Sequence, residues 1–185
     1  LCEVVSVREP GAMARRAELV EFAVAHDLQL ITVDDLVAHR RWSEQHVVRA
    51  AESRLRTSHG TFRAVGYTCA LDGTEHVALA LGTVDAGHAV RVERHVECLA
   101  GDVFASQQCG CRERLEAALA AVAAEGRGVV IYLRGPSAIG AGLPHGCGRA
   151  SSGGDGIGDV VAAQILRDLG VRSARRLEES TAVAG

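Results

Sequence analysis

Three cysteines lie close together in the second half of the sequence, at Cys98, Cys109 and Cys111. Two thiolates that flank a single residue can bind one ion, and a third from a preceding turn completes a three-sulfur face. Zinc with three protein ligands keeps a fourth position for water, as in catalytic sites. Such a water has a pKa of roughly 7, so hydroxide is available for hydrolysis near neutral pH. The spacing therefore predicts a zinc site with one ion per chain.

Two other interpretations of these cysteines stay open at this stage. Free cysteine is among the most buried residue types, so three neighbouring thiols can simply belong to a core. A closed structural zinc site is the other interpretation, with His95 or Cys147 as the fourth ligand.

Polar residues stand on the segment that leads into Cys98, and Asp102 follows it. His95 and Glu97 share one face of an incoming strand, because side chains alternate along a strand. They can orient a substrate or a zinc-bound water, or they can form the solvated end of a strand. The residues alone do not separate these two roles.

The elements that must position the cysteines follow from periodicity and turn signals. Period-two patterns and Gly-containing turns predict strands at 47–57, 62–70, 76–81 and 89–96. Beyond the cysteines we expect a helix over 112–125, a buried strand over 128–133, a helix over 160–169 and a strand over 171–177. The segment 135–158 is rich in Gly and Ser and predicts a flexible loop. These elements predict a mixed α/β fold, with an antiparallel β region followed by helices packed on the sheet.

The first 41 residues have a pattern of their own. We expect a strand over 2–6, a helix over 14–26, a strand over 28–33 and a short helix capped by Asp34. A polar, charged joint follows at 42–52. We therefore predict a small strand–helix appendage with linker over 1–46 and a main domain over 47–185. The apolar edge of the appendage is expected to need a partner surface.

Composition narrows the class of protein further. The chain has 185 residues, 48% of them hydrophobic, which is enough for a sizeable core. Its net charge is −3 and it contains no long basic run, which argues against nucleic acid as a partner. No stretch is long and apolar enough to span a bilayer. Six cysteines without a secretory signal favour thiols or metal ligands over disulfides, so we expect a cytoplasmic protein.

Two runs around the cysteines carry a family resemblance. RHVECLAGDVF, from Arg94 to Phe104, and SQQCGC, from Ser106 to Cys111, resemble the zinc motif of GTP cyclohydrolase II. Further matching runs lie at 55–62, 75–82, 126–135 and 163–171. That family opens the imidazole ring of GTP and releases formate and pyrophosphate on the way to riboflavin. The resemblance implies zinc on the three cysteines, Mg²⁺ with the nucleotide, a purine nucleotide or related heterocycle as substrate, and a homodimer.

The resemblance also implies roles for residues outside the metal site. Substrate-binding roles are expected for His95, Glu97, Arg114 and Arg134, and catalytic roles for Tyr132 and Asp155. Asp155 would be the base, and Tyr132 would help to position the substrate.

Several positions depart from the family pattern. Glu93 stands where the family has an arginine, and Arg114 where it has a glutamine. Ser137-Ala-Ile139 replaces a Glu-Gly-Arg motif that binds GTP, and Ile157 replaces the arginine proposed as nucleophile. The metal half of the site is therefore kept, while the half that binds triphosphate and guanine is largely lost.

Residues 1–41 resemble a different enzyme, the C-terminal tail of 3,4-dihydroxy-2-butanone 4-phosphate synthase. The matching runs are Leu1-Cys-Glu3, Gly11-Ala-Met-Ala-Arg15 and Leu30-Ile-Thr-Val-Asp-Asp-Leu-Val37. Bifunctional riboflavin proteins carry the two enzymes in this order. Because the acidic cluster that binds metal in the synthase is absent from this sequence, synthase activity is not expected of it.

Two functions compete on this sequence. The first is zinc-dependent hydrolytic opening of a purine nucleotide ring, with GTP or a related heterocycle as substrate. The second is a catalytically impaired family member that keeps a structural zinc and acts as a binding or regulatory protein. The segment 135–158 separates them, because turnover of GTP needs a cationic cradle there, for which Arg134, His145 and Arg149 are the candidates.

Overall fold

The structure is a computed structural model that describes residues 3–85, 89–134 and 157–175. The chain divides into two compact units, Leu1–Ser43 and Glu44–Gly185. Among the described residues, no helix is long and apolar enough to cross a membrane.

Two helices form the first unit, α1 (Arg16–Ala25) and α2 (Val33–Ser43), as predicted. Thr32 starts α2 by a reciprocal exchange: its hydroxyl accepts the Asp35 N–H at 3.0 Å, and the Asp35 carboxylate accepts the Thr32 N–H at 2.9 Å. This is a capping box, which satisfies N–H groups that the helix leaves unpaired. Thr32 and Asp35 therefore take the capping role predicted for Asp34.

The strands predicted in this unit are the main difference from expectation. The segment 28–32 has no regular secondary structure and pairs with no strand of the described chain, and the first strand is reduced to a single bridge between Val5 and Met13. A strand needs a neighbouring ladder to satisfy its backbone groups, and alternation of residues alone cannot supply one. Apolar side chains of the unit are accordingly exposed, with Val7 at 90% and Val24 at 79%.

A six-stranded mixed sheet forms the second unit. Its strands are β1 (Val47–Thr57), β2 (Gly60–Cys69), β3 (Glu75–Leu81), β4 (Val90–Val96), β5 (Gly128–Leu133) and β6 (Ala174–Arg175), in the spatial order β1-β2-β3-β5-β4-β6. Its α-helices are α3 (Cys111–Glu125) and α4 (Ile157–Asp168), and a π-helical turn spans Leu99–Val103. The mixed α/β fold is confirmed.

The pairing of the strands refines the expected antiparallel region. β1, β2 and β3 form an antiparallel meander, whereas β4 pairs parallel with β5. β5 lies between β3 and β4, because α3 carries the chain back across the sheet before β5 starts. A parallel pair requires such a crossover. The carboxyl ends of β4 and β5 therefore meet at one edge of the sheet.

Helices cover the two faces of the sheet separately. Val129 and Ile131 pack with Ile165 of α4, while Val130 between them packs with Val122 of α3. Successive side chains of a strand point to opposite faces, so the two helices lie on opposite sides. We call the side covered by α3 the cysteine face, because it carries Cys98, Cys109 and Cys111, and the other side the α4 face.

Polar contacts join α4 to the start of the sheet on the α4 face. Buried Gln164 accepts the N–H groups of His46 at 2.8 Å and Val47 at 3.0 Å, and donates to the Glu44 carbonyl at 2.9 Å. All the polar atoms of this buried amide group are therefore engaged, which a core amide requires.

Asp168, the last residue of α4, makes further polar contacts on the same face. It accepts the Tyr67 hydroxyl at 2.7 Å and the Arg49 guanidinium at 2.7 and 3.0 Å. Partial burial alone would raise the pKa of Asp168, but these donors bring it below its usual value.

Candidate metal centre

The cysteines gather where the two parallel strands end. Cys98 lies two residues beyond the end of β4, and Cys111 is the first residue of α3. Ligands in α/β sheets bind beyond the carboxyl ends of parallel strands, because the connecting loops open there. The topology therefore places the cysteines at the edge of the sheet where a ligand site is expected.

The three sulfur atoms fit one tetrahedral ion. They lie within 4.8 Å of one another, and the Sγ atoms of Cys98 and Cys109 are 3.8 Å apart. Two sulfurs that are each about 2.3 Å from a tetrahedral zinc also lie about 3.8 Å apart. Cys98 and Cys111 are buried and Cys109 is half-buried. These residues can hold a metal ion with a three-sulfur face.

Gly101 leaves the room that the sulfurs need. A Cβ at this position would lie 2.8 Å from the Cys111 Cβ, 2.9 Å from the Cys109 Sγ and 3.4 Å from the Cys98 Sγ. The first two distances are too short for real side chains. The Gly101 N–H also donates to the Cys98 sulfur at 3.4 Å. The π-helical turn can cover the sulfurs only because this residue lacks a side chain.

Positive charge is directed at the third sulfur. Cys111 is the first residue of the 15-residue helix α3, whose amino end carries a partial positive charge. One guanidinium nitrogen of Arg114 donates to the Cys111 Sγ at 3.0 Å. Both effects stabilise a thiolate, the form that binds metal. Burial acts in the opposite direction on Cys98 and raises the pKa of its thiol.

Asp102 lies behind the sulfurs with its side chain only 4% exposed. Its carboxylate accepts the Cys98 N–H at 2.9 Å and the Tyr132 hydroxyl at 2.8 Å, and both oxygens lie 3.0 Å from Nε2 of His95. Burial, followed by the contact with Asp102, raises the pKa of Tyr132. The His95 and Tyr132 rings are stacked with centroids 5.4 Å apart.

This arrangement bears on two of the predicted roles. The substrate role of His95 and the catalytic role of Tyr132 stay predictions, and in the structure both side chains contact Asp102. Among the described residues, the ligand atoms that gather at one point are those of the three cysteines, and Nε2 of His95 contacts Asp102, so the role of His95 as fourth ligand stays a prediction. Cys147, the other fourth ligand considered, lies outside the described residues.

Glu97 and Arg134 meet at the rim of the centre. The Arg134 Nε lies 3.5 Å from a Glu97 carboxylate oxygen, and the two side chains are 50% and 20% exposed respectively. The Arg134 N–H donates to Nδ1 of buried His76 at 3.2 Å, which secures the residue that follows β5. Two residues predicted to bind substrate are thus brought together next to Cys98, with the Arg134 side chain half exposed and the Glu97 side chain mostly covered.

The remaining site residues have different placements. Glu93, where the family has an arginine, forms an ion pair with Arg91 at 3.1 Å. Ile157 is the first residue of α4, whose first turn includes Asp159, the ion-pair partner of Arg94. Asp155, predicted as the base, lies outside the described residues, as do 137–139, His145 and Arg149.

Sequence reasoning assigned no role to Gly101 and Asp102, which adjoin one another in the π-helical turn. Their position in the sequence was the available signal, because residues three and four positions after a cysteine lie close to that cysteine when the chain forms a helical turn. The Gly101 N–H does so towards the sulfur, and the Asp102 N–H donates to the Cys98 carbonyl at 2.7 Å. A π-helical turn is rare, so propensity could not have predicted it.

The fold and the site together define a mixed α/β domain whose parallel strands end at three cysteines that can hold a metal ion. The family model of GTP cyclohydrolase II matches residues 48–157, more than half of the chain. The chain belongs to the GTP cyclohydrolase II family.

The curated relatives have a longer chain. The riboflavin biosynthesis protein RibBA of Mycolicibacterium gilvum is 46% identical over 202 residues, which cover 98% of this chain and 48% of that protein. RibBA of Nocardia farcinica is 46% identical over 198 residues with the same coverage. The chain therefore spans about half the length of these curated relatives. Because the match covers 98% of the chain, it includes most of the first unit as well.

One solved structure resembles nearly all of the chain. RibBX of A. baumannii, described as a two-domain 3,4-dihydroxy-2-butanone 4-phosphate synthase, superposes with a TM-score of 0.57 at 26% identity. The match covers 92% of this chain and 45% of that protein.

Proposed function

We propose that this chain is a zinc-dependent hydrolase of the cyclohydrolase II type, which opens the ring of a purine nucleotide, GTP or a related heterocycle, in the riboflavin pathway. The observation that supports it is the three-sulfur face of Cys98, Cys109 and Cys111, with the spacing that a tetrahedral ion needs. Membership of the family and relatives named for riboflavin biosynthesis support the pathway.

The cysteines would hold one zinc ion, and zinc supplies a Lewis acid that makes water acidic enough to attack carbon near neutral pH. Arg114 would keep Cys111 in its thiolate form. At the rim, the half-exposed Arg134 would bind phosphate oxygens, and Glu97, which lies 3.5 Å from Arg134, would accept N–H groups of the heterocycle. Asp155 would take the proton from the attacking water.

Further parts of the proposal rest on the family and on composition. We expect Mg²⁺ to accompany the nucleotide, two chains to form a homodimer, and the protein to work in the cytoplasm without nucleic acid or membrane as a partner. We also propose a division into a synthase-like tail with linker over 1–46 and a cyclohydrolase II-like zinc domain over 47–185. The exposed apolar side chains of the first unit favour a further protein surface as its partner.

A second candidate function has its own support. His95 and Tyr132 are held by Asp102, and Glu93 forms an ion pair with Arg91 where the family has an arginine. The A. baumannii protein that matches 92% of this chain is described by its synthase activity alone. The alternative is therefore a catalytically impaired domain that keeps zinc for structure and binds or regulates a partner.

Zinc content and formate release from GTP, measured on one purified sample with Mg²⁺ present, separate the two functions. We expect zinc at one per chain and formate release that Cys109→Ser abolishes together with the zinc. Zinc without formate from GTP or related purine nucleotides would favour the second function. A chain without zinc would contradict both.

A further inference from the structure

Asp102 joins three elements of the cysteine face through one buried carboxylate. Its oxygens contact the Cys98 N–H after β4, Nε2 of His95 within β4 and the Tyr132 hydroxyl of β5. Its side chain is 4% exposed, and His95 beside it is 6% exposed. A buried carboxylate is costly unless hydrogen bonds satisfy it, and here donors from three sides do so.

The contacts of Asp102 also set the backbone of a metal ligand. Cys98 and Asp102 are linked twice: the Cys98 N–H donates to the Asp102 carboxylate, and the Asp102 N–H donates to the Cys98 carbonyl at 2.7 Å. These two bonds close the turn that carries Gly101 over the sulfurs. Without the carboxylate, nothing else among the described contacts accepts the Cys98 N–H.

The neighbours of Asp102 are themselves fixed. His95 lies opposite Tyr132 in the parallel ladder, and their rings stack at an interplanar angle of 25°. Strand pairing therefore holds the two side chains next to each other, and both polar atoms contact the same carboxylate. A carboxylate that meets both atoms and the Cys98 N–H has one position available, which in turn determines where Cys98 is held.

We propose that Asp102 is a positioning residue for the metal centre, and that His95 and Tyr132 act through Asp102 by orienting its carboxylate. The inference rests on the proposed function only in that the three cysteines bind a metal ion. Outer-shell groups of metal sites typically change metal affinity roughly 10–100-fold when they are removed. A role in orientation predicts a change in the geometry of the bound metal as well as in affinity.

The opposite face supplies a matched control. Asp168 also accepts a tyrosine hydroxyl, from Tyr67 at 2.7 Å, and it also pairs with a basic side chain, Arg49. It makes no contact with the cysteines in the described structure. Asp168→Ala therefore removes a similar carboxylate and leaves the metal centre untouched.

For the test, the full chain is loaded with Co²⁺ in place of Zn²⁺, and the cobalt–thiolate charge-transfer bands and the d–d bands are recorded. Zn²⁺ affinity is measured separately by chelator competition. Asp102→Ala should shift and weaken the d–d bands and lower Zn²⁺ affinity roughly 10–100-fold. Asp102→Asn keeps one acceptor oxygen and should restore part of both. Tyr132→Phe should change the bands slightly, while Asp168→Ala and Tyr67→Phe should leave them as in the unchanged chain.

If Asp102→Asn and Tyr132→Phe both show the cobalt bands and the Zn²⁺ affinity of the unchanged chain, the inference is overturned, even if Asp102→Ala fails to fold. Equal band shifts in Asp102→Ala and Asp168→Ala would also overturn it, since they would report loss of stability alone. If the unchanged chain shows no cobalt–thiolate band, the metal site of the proposed function fails. Failure of the proposed function is thus distinguishable from failure of this inference, in which the cobalt–thiolate bands are present but do not change when Asp102 is substituted.

Discussion

The two faces of the sheet contain similar side chains that have different structural roles. On each face a carboxylate accepts a tyrosine hydroxyl, Asp102 from Tyr132 and Asp168 from Tyr67. Asp168 is 35% exposed and pairs with the permanently charged Arg49, so the contact joins α4 to the sheet. Asp102 is 4% exposed and contacts the backbone of a cysteine ligand. Burial and the third partner, not the carboxylate itself, distinguish a metal centre from a structural clamp.

Because the two carboxylates contact different groups, substitutions can test each face of the sheet separately. Changes on the cysteine face should alter metal binding with a modest effect on folding of the metal-free chain. Changes on the α4 face should alter the free energy of unfolding and leave metal binding as it was.

The largest expected effect comes from Gly101→Ala. The added methyl group would lie 2.8 Å from the Cys111 Cβ and 2.9 Å from the Cys109 sulfur, so the turn or the sulfurs must move. Zinc affinity should fall on the order of 100-fold or more. Chelator competition with isolated protein measures this. Gly110→Ala is the control, since the nearest atom is 3.8 Å away and affinity should stay within a factor of about 3.

The second effect lies on the α4 face. Gln164→Leu removes the acceptor of the His46 and Val47 N–H groups and the donor to Glu44, all at a buried site. Unpaired buried polar groups should lower the free energy of unfolding by about 2–4 kcal/mol in urea denaturation.

The exposed Gln45 provides the control: its side chain donates to the Val47 carbonyl at 3.2 Å, and loss of this bond in Gln45→Leu should change stability by about 1 kcal/mol at most. Zinc affinity of folded Gln164→Leu should equal that of the unchanged chain. A loss of affinity comparable to that of Gly101→Ala would show that the two faces are not independent.

Arg114→Gln should have a smaller effect, on the metal alone. The substitution introduces the family residue and removes the guanidinium that donates to the Cys111 sulfur at 3.0 Å. Zinc affinity at pH 7 should fall roughly 10-fold, because the thiolate loses a charged donor. Arg112→Gln, an exposed change two residues earlier on α3, should leave affinity unaltered. Equal affinities in the two variants would contradict a role of Arg114 at the centre.

The smallest effect is a pH dependence of stability. Burial lowers the pKa of His76, whose Nδ1 accepts the Arg134 N–H. The unfolded chain therefore binds a proton near pH 6.5, while the folded chain binds it only at lower pH. Stability should fall as the pH drops below about 6.5, by less than about 1.4 kcal/mol per pH unit.

His76→Asn keeps an acceptor but does not titrate, so it should flatten this slope. Urea denaturation at several pH values between 5 and 7.5, in metal-free buffer, measures the difference. A slope in His76→Asn as steep as in the unchanged chain would assign the dependence to other groups.

Much of the second unit could be predicted from the order of its residues. β1 and β5 have the predicted bounds, and α3 begins one residue before its predicted start, because strand alternation and Ala–Leu helical spacing are local signals. The first unit was predicted less well. Its helices are present, but the strand predicted over 28–33 is not, because a run of apolar residues forms a strand only where a neighbouring strand pairs with it.

Residue order alone predicted the cluster of cysteines, the α/β class and the family, because the spacing of metal ligands and the periodicity of side chains are local features of a sequence. The tertiary structure decides which residues lie beside those cysteines. Strand β5 between β3 and β4 brings Tyr132 to His95, and the π-helical turn brings Asp102 to both. The hydrogen bond between Tyr132 and Asp102 joins residues 30 positions apart, so it depends on which strands pair. A local pattern of side chains does not determine which strands pair.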